Sequence, residues 1–199
     1  VLESVERTTK QLQPDRFPEE GEQPGDWTDP DFIENGKEAR PRSLLNYDQS
    51  FVPYLSEPRF AGALKAILGP HYLAQDCGVA VGIGTKRRGL HLDWPYNQNE
   101  DTSGVLLKGG LGIPVLINTL WMLTPFKKEN GATAVVPGSH RPGRSPVGAV
   151  DPFAHYPTEL QATGEAGSVL MLDARTWHSV MPNLSGKRPE RLAHTDETC

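Results

Sequence analysis

From residue 69 onward this chain is interrupted again and again: short apolar runs alternate with glycine, proline, asparagine and aspartate, and none is long enough for an extended helix. The sequence holds 20 Gly and 18 Pro in 199 residues. Both residues weaken helix interiors and favour turns, so this punctuation suits many short strands joined by turns. The expected architecture is therefore mainly β, a sandwich or barrel, with jelly rolls included. The length suffices for one domain with a sizeable core.

Residues 1–12 read as a short helix. Residues 13–42 read as an extended loop, although Trp27, Phe32 and Ile33 imply that it packs on something. Residues 51–68 are expected to be helical, with Val52, Leu55, Phe60, Leu64 and Leu68 on one face and Gly69-Pro70 as the stop. Strands are expected over 79–84, from 90, and over 115–123, 132–136, 167–172 and 177–180. A last one begins at 191 and looks short, because the chain ends HTDETC. The polar, Gly-rich stretch 97–112 reads as a mobile loop over a site, and 137–151 as a further loop. There is no internal repeat. The organisation expected is one domain over 1–199, with an irregular or helical part to residue 70 and a β core over 71–199.

Twenty basic residues against 25 acidic ones give a net charge of −5, which argues against nucleic acid or an anionic membrane as partner. Two cysteines, Cys77 and Cys199, exclude a disulfide scaffold or a zinc ribbon and suit reduced thiols in the cytoplasm. No apolar run approaches the ~20 residues of a membrane span, and no signal peptide is evident. A small-molecule partner is expected, with the chain a monomer or homodimer.

Among six histidines, His91 stands two residues from Asp93. In a strand, residues i and i+2 share a face, so an imidazole and a carboxylate project side by side, as two ligands of one metal should. The third ligand must come from elsewhere. His178, which follows a turn-then-strand pattern, is the best candidate. Two histidines and one carboxylate form the facial triad of non-haem Fe(II) oxygenases, with coordination positions left open.

Three blocks carry a resemblance: LHLDWPY (90–96), WMLTPFKKENGATAVVPGSHR (121–141) and AGSVLMLDARTWHSVMPNLSGKRPERLA (166–193). Together, and in this order, they resemble the phytanoyl-CoA dioxygenase family over about half the chain. The resemblance implies a double-stranded β-helix, or jelly roll, with flanking helices. It implies Fe(II), 2-oxoglutarate and O2 as cofactor and co-substrates, with His91, Asp93 and His178 as iron ligands. The reaction implied is oxidation of an unactivated C–H of a small metabolite, with succinate and CO2 released. Related halogenases lack the carboxylate, so Asp93 favours hydroxylation, or another outcome of hydrogen abstraction.

The far carboxylate of 2-oxoglutarate calls for a planar, bidentate cation. Arg188 has the more usual spacing from His178. Arg191 better fits a strand start, because Pro189 follows Arg188 and would spoil pairing. Thr133 and Asn118 are further candidates for contact with the co-substrate. Trp94, Tyr96 and Trp121 are candidates for the substrate pocket, Trp121 equally for the core. Residues 97–112 and 141–163 are expected to wall the site. His140 reads as a brace for its loop; His71, His155 and His194 are not expected to be ligands. Lys86-Arg87-Arg88 reads as a solvated turn or a landing point for an anionic substrate. The competing readings are a cupin-type Fe(II) oxygenase independent of 2-oxoglutarate, a non-catalytic jelly-roll binding protein, and a zinc hydrolase. The last lacks a HExxH helix.

Overall fold

The computed structural model describes residues 3, 7, 11, 38–39, 44–50, 52–72, 74–81, 87–94, 114–141, 145–185 and 191–198. For the strands within 38–39, 74–81 and 191–198 it describes the backbone. Glu3, Arg7 and Gln11 are helical, in keeping with the helix expected over 1–12. Most of the loop expected over 13–42, all of 97–112, and both Tyr96 and Arg188 lie outside the described residues.

Helices α1 (Val52–Leu55) and α2 (Pro58–Leu68) occupy the segment expected to be one helix. The break has a local cause. Glu57 precedes Pro58, whose ring disfavours helical backbone in the residue before it, and Glu57 sits at ψ 128°. Its carboxylate then caps α2 by accepting from the Phe60 amide at 3.0 Å. At the other end Gly69, at φ 93°, gives the Lys65 carbonyl a final hydrogen bond.

Among the described residues, eight strands form two antiparallel sheets: β1 (Glu38–Ala39), β2 (Ala74–Val81), β3 (Ile117–Met122), β4 (Ala134–Val135), β5 (Leu160–Gln161), β6 (Val169–Asp173), β7 (His178–Ser179) and β8 (Arg191–Thr198). The larger sheet runs β1-β2-β8-β3-β6 and the smaller β5-β4-β7. The mainly β expectation holds. The last strand is longer than its polar sequence suggested. All eight residues of β8 pair with β2, and six pair with β3 on the other side, so both of its backbone edges are satisfied without help from apolar side chains.

The period of two along β3 separates two cores. Ile117 and Trp121 face α2, where they pack with Phe60, Leu64, Val169 and Met171. Leu120 and Met122 face the smaller sheet, where they pack with Phe126, Ala132 and Val180. Asn118 falls on this second, inter-sheet face. A third cluster, Leu90, Leu92, Val136 and Trp177 with Val150 and Tyr156, lies under the loop that precedes β5.

Candidate metal centre

The segment bearing His91 is an isolated bridge, not a full strand, yet it is tightly registered. His91 and His178 lie directly opposite each other and exchange both backbone hydrogen bonds, at 3.0 and 2.9 Å. Such a pair puts both side chains on one face, and the two ring centroids are 4.3 Å apart. The alternating residues Leu90, Leu92 and Trp177 are buried in the cluster on the other face.

Asp93 takes its position from the larger sheet. Its amide donates to the Ala174 carbonyl at 2.8 Å, and the Ala174 amide donates to Leu116 at the entry to β3, at 3.1 Å. Its side chain accepts a short hydrogen bond on Oδ2 from Asn118 Nδ2. The result is one ligand atom from each of His91, Asp93 and His178, all within 4.8 Å of one another.

The electrostatics of the cluster suit a cation. His91 Nδ1 lies 2.9 Å from the Gly89 carbonyl, and His178 Nδ1 lies 2.9 Å from the Thr176 carbonyl. A carbonyl only accepts, so both imidazoles carry a proton on Nδ1 and turn Nε2 to the shared space. The two Nε2 atoms lie 3.8 Å (His91) and 3.1 Å (His178) from the Asp93 oxygens. Three such atoms around one space call for a positive charge, which a proton on His178 Nε2 supplies when no ion is bound and a metal ion would supply in its place. The nitrogen and oxygen donors suit iron, so the residues fit the group. Burial opposes ionisation of Asp93, but the hydrogen bond and charge of His178, followed by His91 and Asn118, hold its carboxyl well below the usual carboxylate range.

The other expected site residues divide. Thr133 is buried and lies two residues from Val135, which pairs with His178; by alternation it shares the His178 face. Arg191 opens β8. Ala193, two residues on, pairs with Met122, so position 191 falls on the inter-sheet face that carries Asn118. Trp94 is half-buried beside Asp93. Of the two readings for Trp121 the packing favours the core: it stands an odd number of residues from Asn118 and packs edge-on against Phe60 at 5.0 Å, on the helix side of the sheet. In the stretch 141–163, expected to wall the site, two residues are placed elsewhere. Val150 and Tyr156 cover Leu90 and Trp177, on the face turned away from the triad. Arg87 is neither a solvated turn residue nor a landing point for an anion, because it pairs with Glu159 through two 2.7 Å hydrogen bonds.

Sequence reasoning missed three supports. Gly89 and Thr176 act through backbone carbonyls, which no residue type announces. Ser139 braces the loop after β4: its hydroxyl donates to the Val136 carbonyl at 2.7 Å and accepts from the Trp177 amide at 2.8 Å, work expected of its neighbour His140.

Compared with known proteins, the chain matches the family described as phytanoyl-CoA dioxygenase (PhyH) over residues 2–192. The chain belongs to this family. A relative from Aspergillus fumigatus, dioxygenase af480, is 27% identical over 150 residues, covering 71% of this chain and 42% of its own. The chain spans less than half the length of the curated relatives it matches. Among solved structures it is similar to HygX from Streptomyces hygroscopicus, seen with nickel, 2-oxoglutarate and hygromycin B bound. That likeness has a TM-score of 0.58 at 17% identity and covers 98% of this chain and 78% of HygX. It is similar also to SnoN, a non-haem α-ketoglutarate-dependent epimerase from nogalamycin biosynthesis, with a TM-score of 0.57 at 15% identity, over 81% of this chain and 62% of SnoN. At these identities the likeness concerns the fold alone.

Proposed function

We propose that this chain is the core of an Fe(II)- and 2-oxoglutarate-dependent dioxygenase that hydroxylates a small molecule, and that its two sheets form a single jelly-roll domain. The observation that carries this reading is the convergence of two Nε2 atoms and one carboxylate, each with its orientation fixed by the backbone or by Asn118. His91, Asp93 and His178 would hold the metal. With ferrous iron, 2-oxoglutarate and O2 bound, the centre would oxidise an unactivated C–H and release succinate and CO2.

The remaining roles belong to the chain's own side chains. Arg191 would bind the far carboxylate of 2-oxoglutarate, supported by its place on the inter-sheet face; Arg188 is the alternative. Thr133 would donate its hydroxyl to the co-substrate from the His178 side. Trp94 and Tyr96 would border the substrate. The apolar residues Leu120, Met122 and Val180, on the inter-sheet side, would keep water from the floor of the site. A reducing, cytoplasmic setting suits ferrous iron. Among the described residues no helix is long and apolar enough to cross a membrane.

The test is an anaerobic titration with Fe(II) and then 2-oxoglutarate, read by the weak visible charge-transfer band of a chelated 2-oxo acid. Wild type should develop the band. Arg191→Ala should need ~10- to 100-fold more 2-oxoglutarate, the loss expected of a charged hydrogen-bonding partner, with Arg188→Ala near wild type. The reverse pattern moves the role to Arg188. Iron binding with no band would favour a cupin-type oxygenase that does not use 2-oxoglutarate.

A further inference from the structure

Asn118 sits in the middle of β3, in the larger sheet, and is 5% exposed. Its Nδ2 donates to Asp93 Oδ2, 25 residues away in sequence. Its Oδ1 is buried and, among the described residues, meets no donor. The two ends make opposite contributions. A buried acceptor with no donor destabilises a fold, whereas an apolar side chain of the same shape does not. A leucine at this position would fill similar volume beside Leu120 and Met122 and leave no orphan. For the empty fold the two ends therefore pull in opposite directions, the orphan acceptor against and the bond to Asp93 in favour. The donor end also fixes the plane of the carboxylate, while the Asp93 amide on Ala174 fixes its backbone. Both restraints are referred to the same stretch of chain, residues 116–118. The two histidines, by contrast, are registered against each other.

We propose that Asn118 is a positioning residue for the metal centre, holding the Asp93 carboxylate in the orientation that lets it meet the ion together with His91 and His178. The role differs from direct contact with the co-substrate, which the sequence suggested for this residue. The proposal rests on the metal-centre reading above. Partners that orient a metal ligand commonly contribute ~10- to 100-fold to metal affinity.

The experiment compares wild type, Asn118→Leu and Asn118→Ala by two readouts: thermal unfolding of the metal-free protein, and anaerobic calorimetric titration with Fe(II) alone. Asn118→Leu should stay folded, because the orphan acceptor it removes offsets the donor that Asp93 loses, and should bind Fe(II) ~10- to 100-fold more weakly. Asn118→Ala should show the same loss of affinity with a lower melting temperature, because it leaves a cavity. Affinity within twofold of wild type in a folded Asn118→Leu overturns the proposal while leaving the metal centre intact. If both variants fail to fold without metal, Asn118 is a core residue and the proposal is wrong. If wild type itself takes up no Fe(II), the metal-centre reading falls, and this proposal with it.

Discussion

Glu159→Ala probes how the segment carrying His91 is held. Arg87 donates from each terminal nitrogen to the Glu159 carboxylate at 2.7 Å, and a third bond of 3.0 Å reaches the Ala154 carbonyl. The two side chains are 16% (Arg87) and 2% (Glu159) exposed. The pair spans 72 residues and ties the loop before β5 to the chain just ahead of Gly89, whose carbonyl orients His91. Removing one partner of a buried pair costs about 3–5 kcal/mol, because the survivor stays buried and charged. Arg87 keeps the Ala154 carbonyl and some access to water, so about 3 kcal/mol is expected, at the low end of that range. In a domain of this size that lowers Tm by roughly 6–12 °C. The double replacement Arg87→Met with Glu159→Leu should lose far less, because neither charge is left behind. Urea unfolding of wild type, Arg87→Met, Glu159→Leu and the double variant, with unchanged m-values, measures the coupling. A loss below ~1 kcal/mol for Glu159→Ala would make this an ordinary surface pair and refute the latch.

Two further substitutions and a pH series extend the test. Gly131→Ala should destabilise by about 1–3 kcal/mol from its backbone alone, since a side chain is strained at positive φ. Here φ is 86° and the added Cβ would lie 2.6 Å from the Met181 carbonyl oxygen, so the measured fall in Tm should exceed the backbone cost; a neutral result would contradict the turn geometry. Phe126→Ala, in the inter-sheet core at 1% exposure, should cost about 3–5 kcal/mol in urea unfolding, and a cost under 1 would mean the sheets do not pack there. Burial opposes ionisation of Glu159 and Asp173, but Arg87 and Arg175 outweigh it and hold both carboxyls below their ordinary values. A lowered folded pKa gives stability that is present above the unfolded value and lost as pH falls through the folded one. Urea midpoints should therefore be flat near neutrality and drop below about pH 4.5; a midpoint that holds or rises on acidification would contradict these pairings.

The pairing of His91 with Asp93 was legible because a period of two needs no knowledge of the partner strand, whereas His178 was reached through its turn-then-strand pattern and the resemblance of its block. The same rule decides Trp121. Once Asn118 is placed on the inter-sheet face, a residue three positions on belongs to the other, and Trp121 packs with Phe60 there. The helix break was likewise written in Glu57-Pro58. What the sequence concealed was long-range. Nothing local says that Val150 and Tyr156 cover Leu90 and Trp177; the loop that carries them is tied down where Arg87 meets Glu159. The extent of β8 was hidden for a related reason, since its polar residues are held by backbone pairing on both edges. The orienting carbonyls of Gly89 and Thr176 carry no side-chain signal at all.

The measurement that bears most directly on the metal centre is anaerobic calorimetry with Fe(II) on wild type, Asp93→Ala and His178→Ala. Wild type should bind one ion per chain, and at an ion concentration of ~100 times Kd should gain about 2.7 kcal/mol of stability. Both variants should lose the binding and the gain together. Binding that persists at wild-type strength in either variant would contradict the triad built from His91, Asp93 and His178.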